Sequence, residues 1–385
     1  MFWGEVMRYC VLYPNSRNVN LVKEMGIMPY KLHKLFGYDA WLACYRLGEY
    51  DYLKDEVKGL NIDFIDNKFN NYTLDGIKYI KQNGNKIDIL QIFHITLYSF
   101  FYALVYKNIN PNGKIYLKLD CSHKLIDKIK SLDFIRKKFL KIYLDKVDII
   151  SVEQKRLHNQ LIELLPKYKN KIINIPNGVD FEYLERKNIH YEYSKKENII
   201  LNVARLGAEE KNTRMLLEAF AKINEVENSV WKLVLVGSIE KEFDVYIDKY
   251  FKDNPHLKDK VIFKGEISDR KKLFEEYKKA KIFCLTSDFE SFAFALIEAA
   301  SLGDVIVSTD VGIVREIIID DNGEIVEKNN IEDLSNKLKK LMHNKKLEEK
   351  SITTYNLCRK NFSWNNIITE LDKNLKCLEK TRNYI

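Results

Sequence analysis

Short apolar runs alternate with segments of helical periodicity along the whole chain, the pattern of parallel sheets joined by crossover helices. In the first half the strand-like runs are 9–13, 40–45, 62–65, 87–93, 115–119, 147–152 and 172–175. In the second half they are 199–203, 231–236, 261–263, 282–285 and 305–308, with helical stretches 213–226, 270–280 and 331–342 between them. The rhythm breaks at Pro176-Asn177-Gly178-Val179-Asp180, where turn residues cluster, and a polar run at 190–196 precedes its return. The pattern predicts two similar α/β domains with a hinge near 176–196, followed by a terminal helix after Phe362-Ser363-Trp364.

At 385 residues the chain is too long for one ordinary core, which agrees with two domains. A composition of 46% hydrophobic and 31% charged residues is that of a globular chain rather than a disordered one. The six cysteines form no C-x-x-C pair and read as small buried hydrophobes, so a reducing cytoplasm is expected. Glu5 and Arg8 interrupt any signal-peptide core. The uncharged stretch 89–106 touches the length of a membrane span, but Gln91, His94, Thr96 and Ser99 divide it into a strand entering a helix.

The net charge of +8 is mild for a Lys-rich chain and carries little by itself. It gathers at 124–146, where Leu125, Ile129, Leu132, Phe139 and Tyr143 recur at near-helical spacing among eight lysines and arginines. Such a segment is either a solvated face on a core helix or a basic amphipathic helix lying on an anionic membrane. No nucleic-acid module or aromatic–basic platform is present, so nucleic acid is not an expected partner.

Candidate chemistry concentrates in the second half. Glu290 and Glu298 lie eight residues apart, after the apolar run 282–285 and in a stretch of good helix formers. If every step were helical they would stand roughly 12 Å apart along the axis. That suits gripping two parts of an elongated ligand, although two solvated glutamates would give the same spacing. Arg205 and Lys211 flank a strand end and a helix start, a suitable place for a diphosphate. Gly237 and Gly265 each follow a strand, where backbone can approach a ligand. Neither G-x-G-x-x-G nor G-x-x-x-x-G-K-[ST] occurs, which argues against a Rossmann dehydrogenase and a P-loop enzyme. No D-x-D pair is available as a metal–diphosphate clamp, and no G-x-S-x-G elbow occurs.

Taken in order, these pieces resemble the retaining glycosyltransferases of family 4, which have the GT-B fold. The resemblance rests on Pro176-Asn177-Gly178-Val179-Asp180, Asn202-Val203-Ala204-Arg205-Leu206 with Lys211-Asn212, Val236-Gly237, Phe263-x-Gly265, Glu290-x7-Glu298, the run from Val305 to Gly312, and Phe362-Ser363-Trp364, over roughly residues 147–385. It implies two Rossmann-like α/β domains whose parallel sheets face a central cleft. Residues 1–176 would bind acceptor, 177–361 would bind the nucleotide-sugar donor, and the helix in 362–385 would pack back on the first domain.

The resemblance also implies roles. Arg205 and Lys211 hold the donor diphosphate, Glu298 the ribose hydroxyls, and Glu290 the transferred sugar near its reacting carbon. Gly237 belongs to the donor pocket. Backbone at Ser291, Phe292, Ala293 and Phe294 meets phosphates or sugar, and backbone from Lys264 through Gly265 to Ile267 meets the base. Ala204 and Ala293 stand where the family usually has glycine, which tightens that pocket. In the first half only Gly26 resembles the family's Gly-Gly loop. His94 is the first candidate for its N-domain histidine, with Asp120 or His123 as alternatives.

The expected activity is a retaining, metal-independent transfer from a nucleotide sugar, a UDP-sugar ahead of a GDP-sugar, with no further cofactor. The acceptor would be a glycan, glycopeptide or lipid-linked oligosaccharide of bacterial surface polysaccharide synthesis. The expected location is the cytoplasm, with peripheral contact at the inner face of the cytoplasmic membrane through 124–146. The alternatives are a nucleotide-sugar epimerase of the same architecture and a non-catalytic sugar-nucleotide or glycan-binding protein.

Overall fold

The central strands are buried on both faces, as parallel strands covered by helices must be. The structure, a computed structural model, describes residues 6–223 and 229–380. It divides into two units: the chain up to Asn177 together with the chain from Trp364 onward, and Gly178–Ser363.

The first unit contains β1 (Arg8–Leu12), β2 (Asp39–Cys44), β3 (Asn61–Phe64), β4 (Ile89–Phe93), β5 (Lys114–Leu119), β6 (Ile149–Val152) and β7 (Ile172–Asn174). They form one sheet in the order β3-β2-β1-β4-β5-β6-β7, with every pairing parallel. Alternation along β1 sends Tyr9 and Val11 to one core and Cys10 and Leu12 to the other. The first of these cores also takes Met25, Met28 and Leu32 of the helix Glu24–Phe36, and Trp364, Ile368, Leu371 and Leu375 of the helix Trp364–Lys380. The Tyr38 hydroxyl donates to Asp372 at 2.9 Å and pins that last helix to the same unit.

The second unit contains β8 (Glu197–Val203), β9 (Lys232–Val236), β10 (Val261–Phe263), β11 (Ala280–Leu285), β12 (Val305–Thr309) and β13 (Glu324–Val326). Their order is β10-β9-β8-β11-β12-β13, again all parallel. Both sheets therefore reverse direction beside their first strand, the doubly wound order that places ligands at the carboxyl ends of the two central strands. Period-2 alternation is equally strict here: Leu201, Val234, Val236, Phe283 and Leu285 enter one core, while Ile200, Leu233, Leu235, Ile282 and Cys284 enter the other.

Strand positions expected from the apolar runs hold to within two residues. No apolar run announces β13, three residues closely following the left-handed turn at Asp320 and Asp321. The helix expected at 213–226 runs Thr213–Ala221, and its last expected residues, 224–226, lie outside the described residues. The stretch 89–106 resolves into β4 and the helix Leu97–Ile109, started by Thr96, whose hydroxyl accepts from the Ser99 N–H. Among the described residues no helix is long and apolar enough to cross a membrane.

One expectation needs correcting. Residues 124–146 are not a single amphipathic helix but two, His123–Lys130 and Phe134–Lys146. The Asp133 carboxylate accepts the Arg136 N–H at 2.8 Å and starts the second helix afresh.

At the other end of the second sheet from the expected ligand site, Lys196 and Asp304 form a buried pair, Nζ to Oδ1 2.6 Å, with side chains 1% and 0% exposed. Lys196 also donates to the carbonyl of Ala280 at 2.6 Å. Burial raises the Asp304 carboxyl from 3.8 to about 7, although the lysine opposes the shift. Lys196→Met would leave that carboxyl buried without its cation, and we expect it to cost ~3–5 kcal/mol in urea unfolding. Because the folded carboxyl binds its proton more tightly than the unfolded one, stability falls as pH rises from 3.8 to about 7. The variant's deficit should therefore be smaller at about pH 5 than at about pH 8.

Candidate functional site

The second sheet reverses between β8 and β11, and the loops leaving these strands carry the charged residues singled out by the sequence. Arg205 and Lys211 follow β8, and Glu290 follows β11. The two strands are held in register by Ile200↔Ile282 and Leu201↔Phe283, and the Asn202 amide donates across to the Cys284 carbonyl at 2.8 Å. Beyond the strand ends the loops stay tied. Thr286 Oγ1 donates to the carbonyls of Lys211 and Asn212 at 3.1 and 3.0 Å, and the Asp288 N–H donates to the Glu210 carbonyl at 2.8 Å.

On this frame the Lys211 ammonium lies 2.5 Å from Glu290 Oε1, which also accepts from Ser287 Oγ at 2.8 Å. Both charged side chains are mostly buried, at 21% and 14% exposure, so their attraction is less screened than on the surface. Glu298 is on the following helix, Phe294–Ala300, one oxygen accepting from Arg270 at 3.3 Å and the other from the Tyr277 hydroxyl at 3.1 Å. Burial, then the Glu298 carboxylate, push the Tyr277 phenol well up, so it stays a donor. Only the last part of the Glu290–Glu298 interval is helical; Ala293, at φ 70°, turns the chain into the helix.

Arg205 is half exposed and meets Glu210 at 2.6 Å and Glu240 at 3.1 Å. It borders an open cavity of about 300 Å³ that Arg214 and Phe243 also line. The cation expected to clamp an anion is thus shared between two exposed carboxylates, a weak arrangement that an incoming dianion can replace.

Gly237 sets the shape of the floor. At φ 144° its backbone runs so close to β8's end that an added Cβ would overlap the Ala204 carbonyl oxygen at 1.7 Å. Its N–H donates to the Gly265 carbonyl at 2.9 Å, which joins the β9 and β10 turns. Gly265 has φ 70° with open space around it, so its requirement is backbone conformation alone. Ile267 is half buried against the core. Ser291 is half buried, and Phe292 is buried and packs its ring on Phe294 at 5.4 Å.

In the first unit, Gly26 differs from its expected setting. It lies in the first turn of the helix Glu24–Phe36 rather than in a loop, because that helix packs against Leu21 so closely that a Cβ would meet the Leu21 carbonyl oxygen at 2.4 Å. His94 and Asp120 come together at the ends of β4 and β5. His94 adopts φ 58°, and its N–H donates to the Lys118 carbonyl at 3.0 Å. Burial lowers its imidazole pKa, with Asp120 partly opposing. His123 instead opens an exposed helix.

Sequence reasoning missed the buried charge beneath them. The fully buried Lys118 lies 3.2 Å from Glu153, which accepts from the Asn177 amide at 2.6 Å. Glu24 is buried nearby, and burial drives both Glu24 and Glu153 upward despite the lysine. One oxygen each of Glu24, Glu153 and Asn177 is buried without a hydrogen-bond partner among the described residues. Arg270 and Tyr277 were missed too, since neither is near Glu298 in sequence.

A family model for glycosyl transferases group 1 matches residues 185–355, nearly the whole second unit. The second unit belongs to that family. Among curated proteins, the capsular polysaccharide biosynthesis glycosyltransferase CapM of Staphylococcus aureus is 26% identical over 213 residues, covering 52% of this chain and 54% of its own. A probable sucrose-phosphate synthase of Thermosipho melanesiensis is 28% identical over 174 residues, covering 45% and 40%. The chain thus spans about half the length of the curated relatives it matches. Of solved structures, Anabaena HepE in complex with UDP and glucose superposes with a TM-score of 0.69 at 13% identity, covering 96% of this chain and all of that one. The fold is GT-B, as the family 4 resemblance implied.

Among the described glycines of the second unit, Gly237 leaves the least room for a Cβ. Gly237→Ala should cost on the order of 3 kcal/mol and displace the β8 end carrying Arg205. Thermal unfolding and UDP calorimetry on the same sample check both effects; an unaltered melting temperature would show that the β8 turn yields freely.

Proposed function

We propose that the protein is a glycosyltransferase that moves a sugar from a nucleotide donor to a glycan or lipid-linked acceptor in bacterial polysaccharide synthesis. The observation that carries this is the Lys211–Glu290 pair at the β8–β11 reversal of a domain matching group 1, with Arg205 in the loop after β8 and Glu298 on the helix after β11. CapM, a capsular polysaccharide biosynthesis glycosyltransferase, and HepE, seen with UDP and glucose, support the acceptor and donor classes by analogy.

In this reading Arg205 exchanges Glu210 and Glu240 for the donor diphosphate, with Lys211 beside it. As the glycosidic bond breaks, negative charge grows on the diphosphate, and each preorganised donor is worth about 2–4 kcal/mol there. The transfer retains configuration and needs no metal clamp, the leaving phosphate taking the acceptor's proton at the same face. Glu290, fixed by Lys211 and Ser287, orients the transferred sugar. Glu298, fixed by Arg270 and Tyr277, receives the ribose hydroxyls. Gly237, Gly265, Ile267 and the backbone of Ser291 to Phe294 line the donor. Of the first-unit residues, His94 and Asp120 are assigned to the reacting sugar, and acceptor recognition falls to that unit. The donor is a UDP-sugar ahead of a GDP-sugar. The protein acts in the cytoplasm, with peripheral contact of 124–146 at an anionic membrane.

Glu298→Ala should lower UDP affinity by about 100-fold in calorimetry, by loss of charge-assisted hydrogen bonds to the ribose; unchanged affinity would remove the ribose assignment. Arg205→Ala and Lys211→Ala should each reduce acceptor-dependent release of nucleoside diphosphate by about 100-fold. Full turnover in both would remove the diphosphate role. Release that needs no acceptor would point instead to hydrolysis, and conversion of the donor to another nucleotide sugar without net release would point to epimerisation.

A further inference from the structure

The helix Phe134–Lys146 has two apolar faces, and the first unit's core uses one. Leu140, Tyr143 and Leu144 are buried in that core. Ile135, Phe139 and Ile142 recur at i, i+4 and i+7 on another face, where a helix on the surface of a globular protein carries polar residues. They are exposed at 65%, 55% and 38%, and Phe134 at the helix start is 83% exposed.

The patch continues onto the neighbouring helix Leu97–Ile109. Leu97 and Phe101, one turn apart, are 78% and 43% exposed. Phe100 joins the two helices, its ring centroid 5.5 Å from Phe101 and 6.1 Å from Phe139. Cations are dense around this patch: residues 123–146 hold eight lysines and arginines against three aspartates. An apolar cavity of about 570 Å³, floored by Leu140 and Leu164, opens beside the same helix with Lys130, Lys137, Lys141 and Lys167 on its lining.

We infer that this patch is an insertion face for an anionic phospholipid bilayer. The inference rests on the membrane contact proposed above and changes its mode, from a basic helix adsorbed by charge to apolar side chains lodged below the headgroups. Phe134, Ile135, Phe139, Leu97 and Phe101 enter the acyl boundary, while Lys137, Lys138 and Lys141 meet lipid phosphates. Charge complementarity selects this occupant. A second copy seated face to face would bring two strongly basic segments together, whereas an anionic bilayer satisfies both the apolar surface and the lysines at once.

The test uses the full chain and sucrose-loaded vesicles of phosphatidylcholine, with or without about one-third phosphatidylglycerol, at low salt and at about 0.5 M salt. The expected result is binding to the anionic vesicles that weakens but persists at high salt. Ile135→Ser/Phe139→Ser should reduce partitioning about tenfold at both salts without altering UDP affinity. Lys137→Gln/Lys138→Gln/Lys141→Gln should remove the preference for the anionic lipid. Binding that vanishes at high salt and ignores Ile135→Ser/Phe139→Ser would overturn insertion while leaving the charge contact. No vesicle binding by a chain that still binds UDP would overturn the membrane contact itself and leave the transferase reading intact. Self-association abolished by Ile135→Ser/Phe139→Ser, without vesicle binding, would overturn the bilayer in favour of a second copy.

Discussion

Everything chemical in the second unit depends on β8 pairing with β11, a strand about 80 residues away in sequence. Parallel pairing needs crossover helices on both faces, and here the chain winds one way through β9 and β10 and then the other way through β12 and β13. The loops after β8 and β11 consequently leave in opposite directions and open a crevice. Sequence-distant charges can then become neighbours. Lys211 and Glu290 come within 2.5 Å only because Asn202 and Thr286 hold the two strand ends and loops together.

The first unit applies the same winding with β1 and β4 at its reversal, but places its charge differently. In the second unit Arg205 meets its carboxylates in solvent, where the pairs are weak and exchangeable. In the first, Lys118 faces Glu153 with no exposure at all, and Glu24 is nearly as deep. One lysine cannot neutralise both carboxylates, and burial favours their protonated forms. A cluster of this kind fixes the ends of β4, β5 and β6 and the lowered imidazole of His94 above them, but it cannot hand its lysine to an incoming anion without stranding a buried carboxyl. Counterion exchange is thus open to the half-exposed Arg205 pairs and costly for this buried one.

Much of the fold was legible because apolar runs of four to seven residues reported strands and turn residues separated them. The limits were physical. β13 is too short and too close to the preceding turn to show a period. The segment 124–146 read as one helix because apolar spacing survives across Ser131–Asp133, yet Asp133 restarts the backbone and the register belongs to two helices. In the site, Arg205, Lys211, Glu290 and Glu298 were legible from chain order and resemblance. Arg270, Tyr277, Lys118 and Glu153 were not, since a buried partner is defined by packing and its sequence neighbourhood reads as ordinary helix or strand. Gly26 misled for a related reason. A glycine required by a close helix contact and a glycine required by a ligand loop look alike in one sequence.

The two glutamates separate more sharply in space than their spacing suggested. The helix between them begins only at Phe294, so the interval is set by a loop and by the left-handed Ala293, and an axial rise of 1.5 Å per residue does not describe it. Each carboxylate is also held differently. Glu298 has a donor on each oxygen, Arg270 on one and Tyr277 on the other, which fixes its plane and leaves further lone pairs for paired hydroxyls. Glu290 takes both Lys211 and Ser287 on Oε1, so that Oε2 has no protein partner among the described residues. A carboxylate anchored through one oxygen, with the other available, can follow a single atom whose charge changes during a reaction. One anchored through both can only present a fixed edge. The two carboxylates therefore differ in how the surrounding donors grip them, a difference that the eight-residue spacing does not carry.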